Sequence, residues 1–415
     1  MLDRIRFWLN RLGERLWIKP LFFCLGSVSA VFLAQLADDL GMARFVPDIS
    51  PDSIETLLTV MSSSMLVIAT FAVGSMLSAY NAAGNTTTPR SFSLVVADDV
   101  SQNALSTFVG AFIFSIVALI ALTNGYFDKA GHFAIFLFTL INLAMVVLIF
   151  VRWVDRIARL GRRGSTIGKV ETATAAALQR RRCAPNLRGV PVRGEPSAGS
   201  TPVYSDTVGY VQRVDVSALQ ASAEQQQIRI VVVALPGSLM MPGRVLAYIR
   251  GRQVEQDGDV DVQVIVKAFL IGKERLFDED PRFGLVVLSE IASTALSPAV
   301  NDPGTAIGVI TTLVRLLAVS NQPLGEHELQ APSCDRVEIP QLNVHDMFED
   351  AFGAIARDGA AMIEVAGRLQ QALQALAVGR MRQAAIAQSR RAALYAEAAM
   401  EVTPDLEKLR ALAAF

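Results

Sequence analysis

Leu57-Leu-Thr-Val-Met-Ser-Ser-Ser-Met-Leu-Val-Ile-Ala-Thr-Phe-Ala-Val-Gly-Ser-Met-Leu-Ser-Ala-Tyr80 is a run of 24 residues without Asp, Glu, Lys or Arg. As a helix it would be about 36 Å long, enough to cross the ~30 Å hydrocarbon core of a bilayer. Three further runs share this character: Leu21–Ala37, Ala104–Thr123 and Phe133–Val151. The first is the shortest, and flanking residues must complete its crossing. The pattern predicts a four-span transmembrane domain over residues 1–160.

The composition agrees. The 415 residues are 52% hydrophobic, and the apolar excess lies before residue 152. The mean hydropathy is +0.38. A formal net charge of −1 argues against a general nucleic-acid partner, which would require a basic footprint. Cys24, Cys183 and Cys334 are too far apart in sequence for metal-ligand or redox spacing. The run at Leu21 reads as a retained anchor. Its leader of about twenty residues is longer than a signal peptide's basic region, and Gln35 spoils a small-x-small cleavage site.

Basic residues set the expected orientation. Arg4, Arg6, Arg11, Arg15 and Lys19 precede the first span, and Arg152, Arg156, Arg159, Arg162 and Arg163 follow the fourth. Asp38, Asp39, Asp48 and Asp52 fill the first connection. Both termini are therefore expected in the cytosol.

Polar positions within the spans are the first candidates for function. Thr70, Gly74 and Ser78 recur every fourth residue, which makes a small-residue face suited to close helix packing. Asn142 lies at the centre of the fourth span, as an interhelical clamp or an ion ligand. Thr88-Pro89 reads as an N-cap and first helical residue, from which a helix past Arg90 would run into the third span. On it Asp99, Gln102, Asn103, Ser106 and Gly110 share a face. That stripe is either a solvated helix end or the wall of an aqueous vestibule.

Beyond the membrane, residues 161–202 read as a basic juxtamembrane segment and linker. Its Arg180-Arg-Arg182 suggests contact with anionic lipid headgroups. Gly164-Ser-Thr-Ile-Gly-Lys169 is no phosphate loop, because Arg163 and Val170 stand where glycine and a hydroxyl residue are needed. Residues 203–275 read as a small β-rich module with strands at Val203–Val216, Ile228–Leu235, Val245–Ile249 and Val260–Ala268, and a helix at Ser217–Gln227. The order resembles the barrel-sandwich modules of biotinyl and lipoyl carriers, but Leu239-Met240-Met241 lacks the modifiable lysine. No cofactor is expected. Residues 276–415 read as helical, ending in three amphipathic helices after Asp346. The predicted fold class is thus a four-helix membrane bundle plus a cytosolic α+β region.

Ser297-Pro-Ala-Val-Asn-Asp-Pro-Gly304 interrupts the helical pattern. It reads as a tight corner in which Asn301 or Asp302 caps the next helix, and Ser297, Asn301, Asp302 and Thr305 are its candidate ligand-pocket residues. Catalytic signatures are absent: His132, His327 and His345 stand in no metal or triad pattern, and no nucleophile elbow or dinucleotide glycine pattern occurs.

Several of these segments resemble a bacterial family known only as predicted membrane proteins of unknown function. The resemblance is carried by Thr88-Pro-Arg90 with Asp99, Gln102 and Gly110, by Val208-Gly-Tyr-Val-Gln212, and by Asp280-Pro-Arg-Phe-Gly-Leu285 leading to Ala295-Leu-Ser-Pro-Ala-Val-Asn-Asp-Pro-Gly-Thr-Ala306. Thr88 stands where the family pattern has serine, and Gly304 where it has an aromatic. The resemblance implies four spans in the inner membrane and assigns no reaction. The leading expectation is a homo-oligomeric channel or transport protein with a cytosolic gate or ligand sensor, its pore between subunits. The competing one is a non-transporting sensor or scaffold that binds a cytosolic protein partner. A third has Asp280, Asn301 and Asp302 around a hard cation.

Overall fold

Each apolar run is rich in Ala, Leu, Met and Phe, has no internal proline, and folds as a helix. The computed structural model describes residues 18–39, 46–86, 88–91, 94, 99–157, 163–195, 199–251, 260–325 and 328–414. It divides into two compact units, one ending at Thr166 and one beginning at Ile167. The N-terminal unit contains α1 (Ile18–Asp39), α2 (Pro51–Thr86), α3 (Asp99–Thr123) and α4 (Lys129–Ile157). The helix α3 is the hub on which the other three pack. Towards one end Val31, Ala34, Ile54, Leu58, Phe114 and Ile135 form the core. Towards the other, Met61, Met65, Ala69, Phe108, Val146 and Trp153 do. Buried hydroxyls are satisfied within their own helices: Ser106 Oγ donates to the Gln102 carbonyl (2.6 Å), Ser115 Oγ to Ala111 (2.8 Å) and Thr139 Oγ1 to Ile135 (2.7 Å).

By length and hydropathy Pro51–Asn81, Val100–Thr123 and Lys129–Ile157 can each cross a membrane, and so can Pro303–Asn321. The apolar part of α1, Pro20–Gln35, is shorter. Three of the four expected spans are thus matched, the first is shorter, and Pro303–Asn321 is added. Burial separates the two cases. The helix α1 turns Leu21, Phe22, Leu25, Phe32 and Leu33 outward, as α4 does Leu137, Ile141, Leu148 and Val151. In Pro303–Asn321 the sense is reversed: Ala306, Val309, Ile310, Leu313 and Leu317 are fully buried, while Gly304, Thr311 and Arg315 are exposed. Only Val319 is a large apolar exception. Outward apolar side chains suit lipid, and inward ones suit a core surrounded by water. We therefore read Pro303–Asn321 as a core helix.

The expected helix from Pro89 is also corrected. Pro89–Ser91 is a single 3-10 turn, with Ser91 N–H donating to the Thr88 carbonyl (3.1 Å). The Thr88 hydroxyl is buried and makes no hydrogen bond, so it does not act as a cap. Phe92 and Val96, through which that helix would continue, lie outside the described residues, as do the basic residues before Ile18 and Arg159 and Arg162.

The C-terminal unit has its own core. After α5 (Arg163–Cys183), the strands β1 (Gly189–Val190), β2 (Ser200–Tyr204) and β3 (Gly209–Val214) lead into α6 (Val216–Gln225). Then come β4 (Arg229–Val232), β5 (Leu239–Met240), β6 (Val245–Arg250), α7 (Val262–Lys267) and β7 (Phe269–Gly272). The hairpin α8 (Pro281–Leu296) and α9 (Pro303–Asn321) precedes β8 (Cys334–Glu338). Four helices close the chain: α10 (Val344–Asp358), α11 (Ile363–Leu376), α12 (Arg382–Ala399) and α13 (Thr403–Ala413). One sheet has the order β1-β8-β4-β6-β2 and a second the order β5-β3-β7. These are two open sheets, so the barrel-sandwich resemblance does not describe the arrangement.

Four expectations change here. Residues 161–202 hold a 21-residue helix, α5, where a basic segment and linker were expected. Val260–Ala268, β-branched and expected as a strand, is helical over Val262–Lys267. Asp261 caps it by accepting from Gln263 N–H (3.1 Å), and Ile265 turns into the core. The sheet also draws β8 from the region expected to be wholly helical. That strand runs parallel to both β1 and β4, which places it centrally. The last helices number four rather than three, Pro404 opening α13.

Candidate functional site

The membrane candidates do not share one environment. Gln102 and Ser106 are buried in the bundle, whereas Asn103 is exposed. Gly110 faces α1: a Cβ there would lie 3.1 Å from Phe23 Cβ and 3.4 Å from Ser27 Oγ. The stripe thus serves helix packing over Gln102, Ser106 and Gly110. The side chain of Asp99 lies outside what is described. Arg90 is exposed on the 3-10 turn. Asn142 is half-buried, and its Oδ1 is enclosed without a hydrogen bond.

The corner between α8 and α9 is built by its own hydrogen bonds. Ser297 Oγ donates to the Thr294 carbonyl (2.7 Å), and the backbone N–H of Asn301 donates to the Ser297 carbonyl (2.8 Å). Asn301 adopts φ +47°, which asparagine tolerates better than most residues. Asp302 then caps α9, accepting from Thr305 N–H (3.0 Å) and Thr305 Oγ1 (2.6 Å). Asp280 caps the start of α8, where it accepts from Phe283 N–H (3.1 Å) and Arg275 Nε (2.7 Å). Sixteen helical residues, about 24 Å, separate it from the corner. A cation cannot be shared by Asp280, Asn301 and Asp302, which corrects the third expectation.

A different constellation emerges in the C-terminal unit. A cavity of about 370 Å³ opens between the end of α5, the end of α9, the chain leading into α10, and the turn before α12. Arg181, Arg182 and Arg380 line it, and no Asp or Glu does among the described residues. Leu178, Leu342, Val344, Met347 and Met381 provide apolar wall. Arg181 is only 6% exposed. It donates through Nη2 to the Pro340 carbonyl (3.1 Å), while its Nε makes no hydrogen bond. Arg182 donates to Gln179 Oε1 (3.0 Å) and to the carbonyls of Gln322 (3.1 Å) and Pro323 (3.2 Å). Arg380 donates to the Ser320 carbonyl (2.7 Å). Neutral carbonyls hold all three guanidiniums; among the described residues none is in an ion pair. Burial lowers the Arg181 pKa to about 10, against the opposing pull of Glu279 and Asp280, so it is charged at neutral pH.

Arg181 and Arg182 belong to the Arg180-Arg-Arg182 run for which lipid headgroup contact is expected. Consecutive helical residues point about 100° apart, so Arg180, Arg181 and Arg182 fan over roughly 200° and cannot all face one surface. Arg180 reaches the Asp278 carbonyl (3.1 Å from Nε), and the other two turn to the cavity. Arg380, from a distant helix turn, carried no signal in sequence.

An apolar helical bundle with outward apolar side chains, followed by a separately cored α+β unit, fits a multi-pass membrane protein. The chain belongs to the family described as "Predicted membrane protein (DUF2254)", whose model matches residues 13–375. Among curated proteins, uncharacterized proteins of Mycobacterium bovis and of two Mycobacterium tuberculosis strains are each 34% identical to it over 125 residues. That match covers 30% of this chain and spans only 24% of the relatives' length. No solved structure matches.

Proposed function

We propose that this is a multi-pass protein of the bacterial inner membrane whose C-terminal unit is a cytosolic ligand sensor acting on the membrane unit. The supporting observation is the contrast between the two cores: one unit presents apolar side chains outward, and the other encloses its own and retains a polar cavity. In this reading α1 spans the membrane with α2, α3 and α4, and both termini are cytosolic. The arginines that follow α4 support that orientation. No catalytic step belongs to the role.

The output we propose is conduction or transport by a homo-oligomer. The buried hydroxyls described above are spent on their own helices, which leaves little for a polar path through one subunit. The Thr70–Gly74–Ser78 face of α2, by contrast, is uncovered, and nothing lies within 4 Å of a Cβ at Gly74. Small residues at this spacing favour close helix approach, and a second copy would provide it. Asp99, Gln102 and Asn103 would then stand near the entrance, past Arg90. The full chain in liposomes, with Ser78→Cys introduced, should form a disulfide-linked dimer under oxidation, and the parent protein should pass ions or small solutes. Liposomes that stay tight across ions, voltage and tension overturn the transport role. Capture of a cytosolic protein by the C-terminal unit, with tight liposomes, would favour the anchored sensor or scaffold instead.

A further inference from the structure

The arginine-lined cavity has a chemistry that its surroundings leave incomplete. A guanidinium hydrogen-bonded to neutral carbonyls keeps its charge and its remaining N–H donors available to an anion. Arg181, 94% removed from solvent, feels Glu279 and Asp280, which do not line the cavity, and lies beside the half-buried Arg182 and the exposed Arg380. Each guanidinium carries five N–H donors. The hydrogen bonds to Pro340, Gln322, Pro323, Ser320 and Gln179 leave donors of all three unused. No carboxylate among the described residues lines the wall to neutralise them. Leu178, Leu342, Val344, Met347 and Met381 also line it. The volume, about 370 Å³, lies within the roughly 300–1,000 Å³ of small-molecule sites.

We infer that the cavity is a binding site for a small amphiphilic organic anion, with a phosphate or carboxylate head held by Arg181, Arg182 and Arg380 and a short apolar body against the leucine and methionine wall. This rests on the reading of the C-terminal unit as a ligand sensor and names the class of its ligand. Guanidinium forks match the geometry of such oxyanions and hold them through charge-assisted hydrogen bonds. An inorganic anion would leave the apolar wall unused, and a neutral alcohol would leave the arginines uncompensated.

The test is equilibrium binding of hexyl phosphate, hexanoate, inorganic phosphate and hexanol to the full chain in nanodiscs, by calorimetry and thermal shift. Hexyl phosphate or hexanoate should bind saturably and raise the unfolding midpoint, with inorganic phosphate at least about tenfold weaker and hexanol without effect. Arg182→Gln and Arg380→Gln should each weaken binding by about tenfold or more, the loss expected for one charge-assisted hydrogen bond. Arg391→Gln, which removes a surface pair with Glu349, should leave it unchanged. Failure of both amphiphilic anions to saturate, or unaltered binding by Arg182→Gln and Arg380→Gln, overturns the site. Hexanol binding as well as hexyl phosphate would show an apolar pocket and overturn the anion assignment, and inorganic phosphate binding equally well would overturn the amphiphilic one. Saturable anion binding with no effect on liposome flux would instead overturn the sensing role and leave the site standing.

Discussion

At position 284 there is no room for a side chain. A Cβ there would lie 1.9 Å from Thr174 Oγ1, so Gly284 lets α8 come directly against α5. Thr174 is itself buried and donates to the Val170 carbonyl (2.6 Å), which limits how far it can withdraw. Gly284→Ala should therefore destabilise the C-terminal unit by about 1–3 kcal/mol, the usual cost of overpacking. Thr174→Ala should recover part of that loss. Denaturant midpoints of the two single variants and the double variant measure the coupling, and strict additivity would refute the contact. The motif Asp280-Pro-Arg-Phe-Gly-Leu285 was legible in sequence as distinctive. The reason for its glycine was not, because the opposing residue lies 110 positions earlier.

At the scale of the element, the α8–α9 corner shows how a distinctive sequence can be spent on architecture. Asp302 and Thr305 close the N-terminus of α9, and Asn301 absorbs the left-handed turn. Asp302→Ala should cost about 0.5–2 kcal/mol, as loss of an N-cap does. Asn301→Gly should be neutral or slightly stabilising, because glycine reaches positive φ without strain. Thermal unfolding of both variants checks this. If the corner is purely architectural, anion binding at the distant cavity and liposome flux should be unchanged in Asn301→Gly; loss of either without loss of stability would restore it as a ligand pocket. The capping role was readable from Asn-Asp-Pro itself, since capping is local. The helix Val262–Lys267 was not, because Val and Ile favour strands and only the Asp261 cap and the core contact of Ile265 reverse that preference.

For the whole molecule, the separate cores predict separable folding. The strands and helices of the C-terminal unit bury Ile230, Leu246, Ile249, Ile265 and Val337 among themselves, and the helical part likewise buries Leu288, Leu313, Phe348 and Phe352. A fragment of residues 163–415 should therefore be soluble without detergent and unfold cooperatively. A fragment with no cooperative transition, or one that requires detergent, would show that the division at residues 166 and 167 is not a folding boundary. The same measurement tests the assignment of Pro303–Asn321 as a core helix. A membrane-spanning helix there would make the fragment aggregate.

Membrane insertion, the helical nature of the apolar runs and the existence of a second folded part follow from sequence alone, because length, hydropathy and charge bias act locally or additively along the chain. Burial was decided by the tertiary structure. Hydropathy cannot distinguish α9, whose apolar face is enclosed by neighbouring helices, from a helix that offers the same side chains to lipid. Nor can it tell that Arg181 and Arg182 line one cavity with Arg380. That arrangement depends on the packing of elements about 200 residues apart, and no local property of the chain encodes it.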